Sequence, residues 1–321
     1  MNHQRTGLLI AIGIPLLLAF AFWLSFTYKP LEEFLSVMSL VFFFLVPFLI
    51  GMASVLLAPK ERVEKLSFRF FFPWAPVFAF LFITLLFSLE GWVCWVMALP
   101  LFLISSSTGG LFGYHLIKKS QDKKLNVSLL MMLPLLLAPI ERQLLVNKRT
   151  FEVQTEIVLQ SDDPSLIWDN ITAVETIQKE EDSGWLSKLM TLPRPVRAVL
   201  DKKAVGGHRQ AIFERGLVFD EKVIVYEDQK RMRFTIDADP QKIPATTMDE
   251  HIVIGGEFFD VLTGEYRLIP IDDKHYRVEL DSEFQLKTSF NWYAGLWGHW
   301  IMRDIQQNIL QVLKGRVEKR S

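Results

Sequence analysis

The chain has 321 residues, half of them hydrophobic, with 35 Lys and Arg against 36 Asp and Glu and a formal net charge of −1. No large basic excess is available to offset phosphates, so nucleic acid is not an expected partner. The single cysteine, Cys94, rules out an intramolecular disulfide scaffold.

Charge is unevenly placed. Residues 1–147 carry 11 basic and 7 acidic residues, a net of +4, and residues 148–321 carry 24 and 29, a net of −5. A charge-poor transmembrane domain (1–147) is therefore expected to precede a globular one (148–321). Crossing a hydrocarbon core of ~30 Å takes ~20 apolar residues in a helix. Five segments are expected to do so, at about 7–26, 34–59, 70–89, 91–117 and 125–140; the last is the shortest and carries Pro134 and Pro139. Gly7 to Phe26 reads as a retained anchor, because its apolar core exceeds that of a signal peptide and no small-residue cleavage site follows. Lys60, Arg62, Lys65 and Arg69 cluster in one loop and Lys118, Lys119, Lys123 and Lys124 in another. By the positive-inside rule both face the cytoplasm, as does the N-terminus with Arg5. The second basic loop directly precedes 125–140, which favours crossing by that segment. A multi-pass protein of the cell (inner) membrane with a periplasmic C-terminal domain is then expected; a re-entrant fifth segment would leave that domain cytoplasmic.

Within 91–117, Ser105, Gly109 and Gly113 recur every four residues, a spacing that lets helices of one bundle approach closely. Trp23, Trp74, Trp92 and Trp95 fall near segment ends, as an aromatic belt would have them. His115 reads as interfacial, and the lack of charge inside the segments argues against ion-coupled transport.

The second half alternates in period two. Phe151 to Leu159 reads as a strand. Asp163 then caps a short helix that starts at Pro164. Gly184 to Leu200 reads as an irregular helical stretch broken by Pro193 and Pro195. Strands are expected at His208–Val218, Glu221–Glu227, Arg231–Asp237, His251–Leu262, Gly264–Ile271 and Tyr276–Lys287. The chain closes on one long amphipathic helix, Asn291 to Val317. Its stripe of Tyr293, Trp297, Ile301, Ile305 and Ile309 is flanked by Trp292, Leu296, Trp300, Leu310, Val312 and Leu313, with Gln306 among the polar residues opposite. Helices segregated from an antiparallel sheet make the class α+β.

This order, with the opening strand and Asp163-Pro-Ser-Leu-Ile-Trp168, Gly264-Glu-Tyr-Arg-Leu268 and the closing helix from Trp292, resembles the START-like superfamily (SRPBCC, the Bet v 1-like, polyketide cyclase/dehydrase and lipid-transport group) over residues 150–318. The resemblance implies a helix-grip fold: a curved antiparallel sheet around a long C-terminal helix, enclosing a hydrophobic cavity for a lipid, isoprenoid or polyketide. The tethered chain differs from stand-alone members in its multi-span anchor.

No glycine-rich phosphate loop and no metal-spaced His or Cys cluster is present, so no metal or cofactor is expected. His208, His251, His275 and His299 are scattered singly. Candidates to line a cavity are Phe213, Phe234, Phe258, Tyr266, Trp292, Tyr293, Trp297 and Trp300. Glu214, Glu265 and Arg267 are candidate polar anchors for a ligand headgroup, weighed against a cross-strand ion pair on the solvated face. The expected function is membrane-anchored binding of a hydrophobic or amphipathic small molecule. A structural or assembly module with a self-filled interior is the alternative, and a cyclase- or hydrolase-type enzyme a further one.

Overall fold

A computed structural model describes residues 2–119, 124–238 and 253–320; Lys123, His251 and the first part of the strand expected from His251 lie outside them. The chain forms two compact units. One comprises Met1–Asn147 with the short segment Thr288–Phe290, the other Lys148–Lys287 and Asn291–Ser321.

The first unit is helical: α1 (Asn2–Thr27), α2 (Val46–Leu57, entered through a π-helix at Val41–Leu45), α3 (Lys60–Val63), α4 (Leu66–Phe71), α5 (Trp74–Leu86), α6 (Trp92–Lys119) and α7 (Lys124–Leu144). Gln4–Thr27, Leu66–Leu86 and Trp92–Lys118 are long and apolar enough to cross a membrane; Val41–Leu57 is apolar but shorter. The segment expected to cross at 34–59 is curtailed at its start. The Ser36 and Ser39 hydroxyls accept from the amides of Met38 and Phe42, both at 3.1 Å, offering the backbone a local alternative to helix. The segment expected at 125–140 falls inside α7.

Small residues set the packing of α2 on α6. A Cβ on Gly51 would lie 1.9 Å from the Ser106 carbonyl oxygen, and one on Gly109 1.9 Å from that of Phe48, so only glycine fits at either crossing point. Ser105 donates to the Phe44 carbonyl at 2.5 Å beside them. Trp95, expected in an interfacial belt, instead packs inside, and its indole donates to Thr84 at 2.9 Å. Glu141, near the end of α7, is buried. Its carboxylate accepts from the Leu40 and Val41 amides at 2.5 and 2.8 Å, satisfying donors that the start of a helix leaves unpaired, and from the Ser289 hydroxyl. Phe290 is also buried in this unit, its ring 4.9 Å from that of Phe43.

The second unit holds β1 (Asn147–Gln160), α8 (Pro164–Thr172), α9 (Trp185–Leu189), β2 (Pro195–Leu200), β3 (His208–Phe213), β4 (Val218–Glu227), β5 (Arg231–Asp237), β6 (Phe259–Pro270), β7 (His275–Thr288) and α10 (Asn291–Arg320). The sheet order is β1-β7-β6-β5-β4-β3-β2, with β2 to β7 pairing antiparallel in succession. A curved antiparallel sheet with a long terminal helix is the helix-grip arrangement. Asp163 caps α8 as expected, accepting from the Ser165 amide at 2.8 Å, and the Ser165 hydroxyl holds its carboxyl below the ordinary range.

Three stretches differ from the sequence expectation. Gly184–Leu200 is helical only over α9, and its last six residues form β2. Pro195 is tolerated there because β2 is an edge strand. His208–Val218 breaks after Phe213 into a 3-10 turn where Arg215 takes a left-handed φ of 57°. Residues 259–270 form one strand, carried past Leu262 by a register shift between Val261 and Thr263.

The first half of α10 also differs, and so does Gln306 beyond it. A Cβ on Gly295 would come within 2.6 Å of the Phe151 ring, and one on Gly298 within 2.7 Å of the Phe284 ring; those rings stack on each other at 5.2 Å. The first half of α10 therefore meets the strands through its small residues, and Trp292, Leu296 and Trp300 turn outward. In the second half Leu310 and Leu313 face the core as expected, together with Val317. Gln306, expected on the polar side, is 2% exposed. Its amide donates to the Val153 carbonyl at 3.2 Å and Ser282 at 2.9 Å, and accepts from Thr155 at 3.1 Å.

Candidate functional site

Residue parity decides what enters the space between the sheet and α10. On β6, Gly264, Tyr266 and Leu268 are buried, and on β7 so are Val278, Leu280, Ser282, Phe284 and Leu286. Of these, Tyr266, Leu268, Val278 and Leu280 form a core with Met232, Phe234, Val223, Trp168, Leu310, Leu313 and Val317. The same parity places two charges on the apolar face. Arg209 shares its side of β3 with Ala211, and Glu221 shares its side of β4 with Phe219 and Val223.

Arg209 and Glu221 are register partners, their side chains each 5% exposed and ion-paired through Nη1. Arg209 Nε also donates to the Thr172 carbonyl at 3.1 Å. Its guanidinium lies 5.5 Å from the Phe234 ring centroid and 5.9 Å from that of Tyr266, within cation–π reach. Burial pushes the Glu221 carboxyl up while the facing Arg209 charge opposes it, and burial pushes the Tyr266 phenol up too. Three ionisable groups thus converge on the inner face of the sheet.

A cleft between α8 and α10 ends on this group. Asn170, Ile171 and Val174 form one wall, Ile309, Val312, Leu313 and Arg316 the other, and Tyr266 the floor. Its free volume is about 10 Å³, room for about one water. The cleft is braced at its rim. Arg316 forms a two-pronged pair with Glu181 at 2.8 and 2.7 Å, holding the segment after α8 against α10. This partner holds the Glu181 carboxyl down at about 2. Nearby, Asn308 donates to Asp182 at 2.8 Å, and Asp304 accepts from the Ser187 amide at 2.9 Å, fastening α9 to the same helix.

The candidate residues distribute as follows. Tyr266 and Phe234 lie in the core, in contact with Arg209. Phe213 belongs to a separate cluster with Phe219, their rings 4.9 Å apart, and Phe258 sits partly buried just before β6. Trp292 and Trp300 are 55% and 51% exposed, and Tyr293 and Trp297 partly buried. Glu214 lies in the turn after β3, where it pairs with Arg194 at 2.6 Å. Glu265 and Arg267 sit on the outer face, opposite in parity to Tyr266. There Arg231 grips Glu265 at 3.0 and 2.9 Å, and Arg267 reaches Asp281 at 2.5 Å. Arg209 and Glu221 are absent from the sequence-derived candidates, although their parity with Ala211, Phe219 and Val223 was visible in the chain. Among the described residues, no group of three or more His, Cys, Asp and Glu is placed to hold a metal ion.

No protein-family model and no curated protein matches the chain. Solved structures do. An aromatase/cyclase from Streptomyces sp. R1128 matches at 11% identity and a TM-score of 0.34, over 54% of this chain and 96% of its own. A START superfamily protein from Mycobacterium smegmatis matches at 11% and 0.34, over 53% and 99%. Norcoclaurine synthase from Thalictrum flavum matches at 10% and 0.33, over 57% and 93%.

Proposed function

We propose that the protein is membrane-anchored through its apolar helices and that its helix-grip unit binds a hydrophobic or amphipathic small molecule, of the lipid or isoprenoid class, between α10 and the sheet. The cleft that runs from Asn170 and Arg316 to Tyr266 carries this reading. Its walls are largely aliphatic, Asn170 and Arg316 bring polar groups to it, and Tyr266, which lines it, lies against the buried Arg209, a mixture that orients an amphipathic ligand. Each methylene buried there contributes ~0.8 kcal/mol, so a chain of about ten carbons suffices for micromolar affinity. Admission requires the α8 side to part from α10, since the closed cleft holds about one water.

A second reading has its own support. The same small volume, beside core side chains such as Trp168, Met232 and Leu310 that are at most 1% exposed, suits a structural module whose interior is filled by its own residues.

A photoactivatable diazirine fatty acid, applied to the full chain in phosphatidylcholine nanodiscs and mapped by peptide mass spectrometry, separates the two. Labelling of the peptides holding Asn170–Val174 and Ile309–Arg316, lost on Leu313→Trp, is the expected result. Labelling confined to residues 1–147 favours the self-filled module.

A further inference from the structure

The stripe at the start of α10 faces outward from its own unit. Trp292, Leu296 and Trp300, one turn apart, are 55%, 48% and 51% exposed. Rings run continuously beneath them: Trp292–Tyr293 at 5.6 Å, Tyr293–Trp297 at 6.5 Å and Trp297–Trp300 at 5.4 Å. Alpha-helix 9, fastened at Asp304 one turn beyond Trp300, adds Trp185 and Leu189, both more than half exposed. The outward face changes character along its axis. It is aromatic and aliphatic for two turns, then passes to exposed Arg303, Gln307 and Gln311. A helix buried by a protein partner is graded around its axis. Grading along the axis fits a helix that enters a polar–apolar boundary end first. Chain position agrees: Trp292 is two residues from Phe290, which is buried in the apolar unit. At ~1.5 Å per residue, the stripe from Trp292 to Trp300 extends ~12 Å. Tryptophan is the side chain enriched where headgroups meet acyl chains, and an arginine just beyond suits lipid phosphates.

We infer that the first turns of α10, Trp292 to Trp300, are a bilayer-docking surface seated in the headgroup–acyl boundary. This rests on the membrane reading above. It goes further in assigning the lipid contact to the sheet-bearing unit, on the same helix that walls the cleft.

Spin labelling tests it on the full chain in nanodiscs of phosphatidylcholine with phosphatidylglycerol. In a Cys94→Ser background, nitroxides are placed one at a time at Trp300→Cys, at Gln311→Cys and at Leu17→Cys, the last on the exposed face of α1. The ratio of oxygen to nickel-chelate collision rates reports depth. A ratio at position 300 severalfold above that at 311, with 17 deeper still, is expected. Position 17 deep and 300 as aqueous as 311 overturns the docking surface while leaving the membrane reading standing. Position 300 shielded from both relaxers assigns the stripe to a protein partner instead. Position 17 aqueous overturns the membrane reading itself.

Discussion

Arg209 and Glu221 show what one pair of side chains decides. Each is held off water on the inner face of the sheet, and each is satisfied by the other. Removing one leaves the remaining charge buried without a partner. Arg209→Met should therefore destabilise the sheet unit by about 3–5 kcal/mol, and adding Glu221→Leu should recover most of that. Denaturant melts of the full chain, followed through far-ultraviolet dichroism, check both; equal stability of the single and double variants would refute the coupling. The pair was readable in the sequence only through strand parity. Arg209 occupies the same side of its strand as Ala211, yet a charge in an alternating run reads by default as facing water. Glu265 and Arg267 follow that default and form the outer ladder.

Elements are tied to α10 by charge as well as by apolar contact. The Arg316–Glu181 pair is the brace across the rim of the cleft. Glu181 ionises at about 2 in the folded chain against 4.5 for a free carboxyl. A lowered folded value means that the pair stabilises the fold above about pH 4.5 and that this is lost as pH falls towards 2. Because Glu181 remains a quarter exposed, about 1 kcal/mol is a reasonable size. Glu181→Gln should flatten the stability profile between pH 4.5 and 2.5 and leave it lower at pH 7, measured by denaturant midpoint against pH. At this scale the sequence was informative where pattern and punctuation agree. Strand β5 begins and ends where alternation from Arg231 to Asp237 says it should. It was misleading at β2, where prolines that break helices are equally at home on a sheet edge, and only the sheet order reveals the edge. It misled again on α10. The aromatic stripe was the obvious apolar face, but close packing of Phe151 and Phe284 needs glycine beneath the rings, and Gly295 and Gly298 supply it.

For the whole molecule, the apolar unit depends on how closely its helices approach. Gly109→Ile would place a branched side chain where the Phe48 backbone already lies, forcing α2 and α6 apart. The expected outcome is a fall in the yield of folded, detergent-extracted protein. Fluorescence-detected size exclusion measures it, with exposed Ile104→Leu on the same helix as the neutral control. The spacing of Ser105, Gly109 and Gly113 made this crossing legible, because small residues every four positions have few other uses in an apolar helix. The helix lengths were less so. Two serines before Val41 shorten a run whose composition alone would have continued it.

The strip Thr288–Phe290 makes the polypeptide path a stitch rather than a tail. The chain leaves the helical unit after Asn147, builds the seven-stranded sheet, returns for three residues, and departs again as α10. A scissor placed at the first seam would take Ser289 away from the Glu141 carboxylate and Phe290 away from Phe43, opening a hole in the piece left behind. Neither half is a free-standing cassette: modular swapping, soluble excision or fusion at position 147 inherits an unfinished edge, and ribosomal synthesis must reach residue 290 before the helical unit is whole.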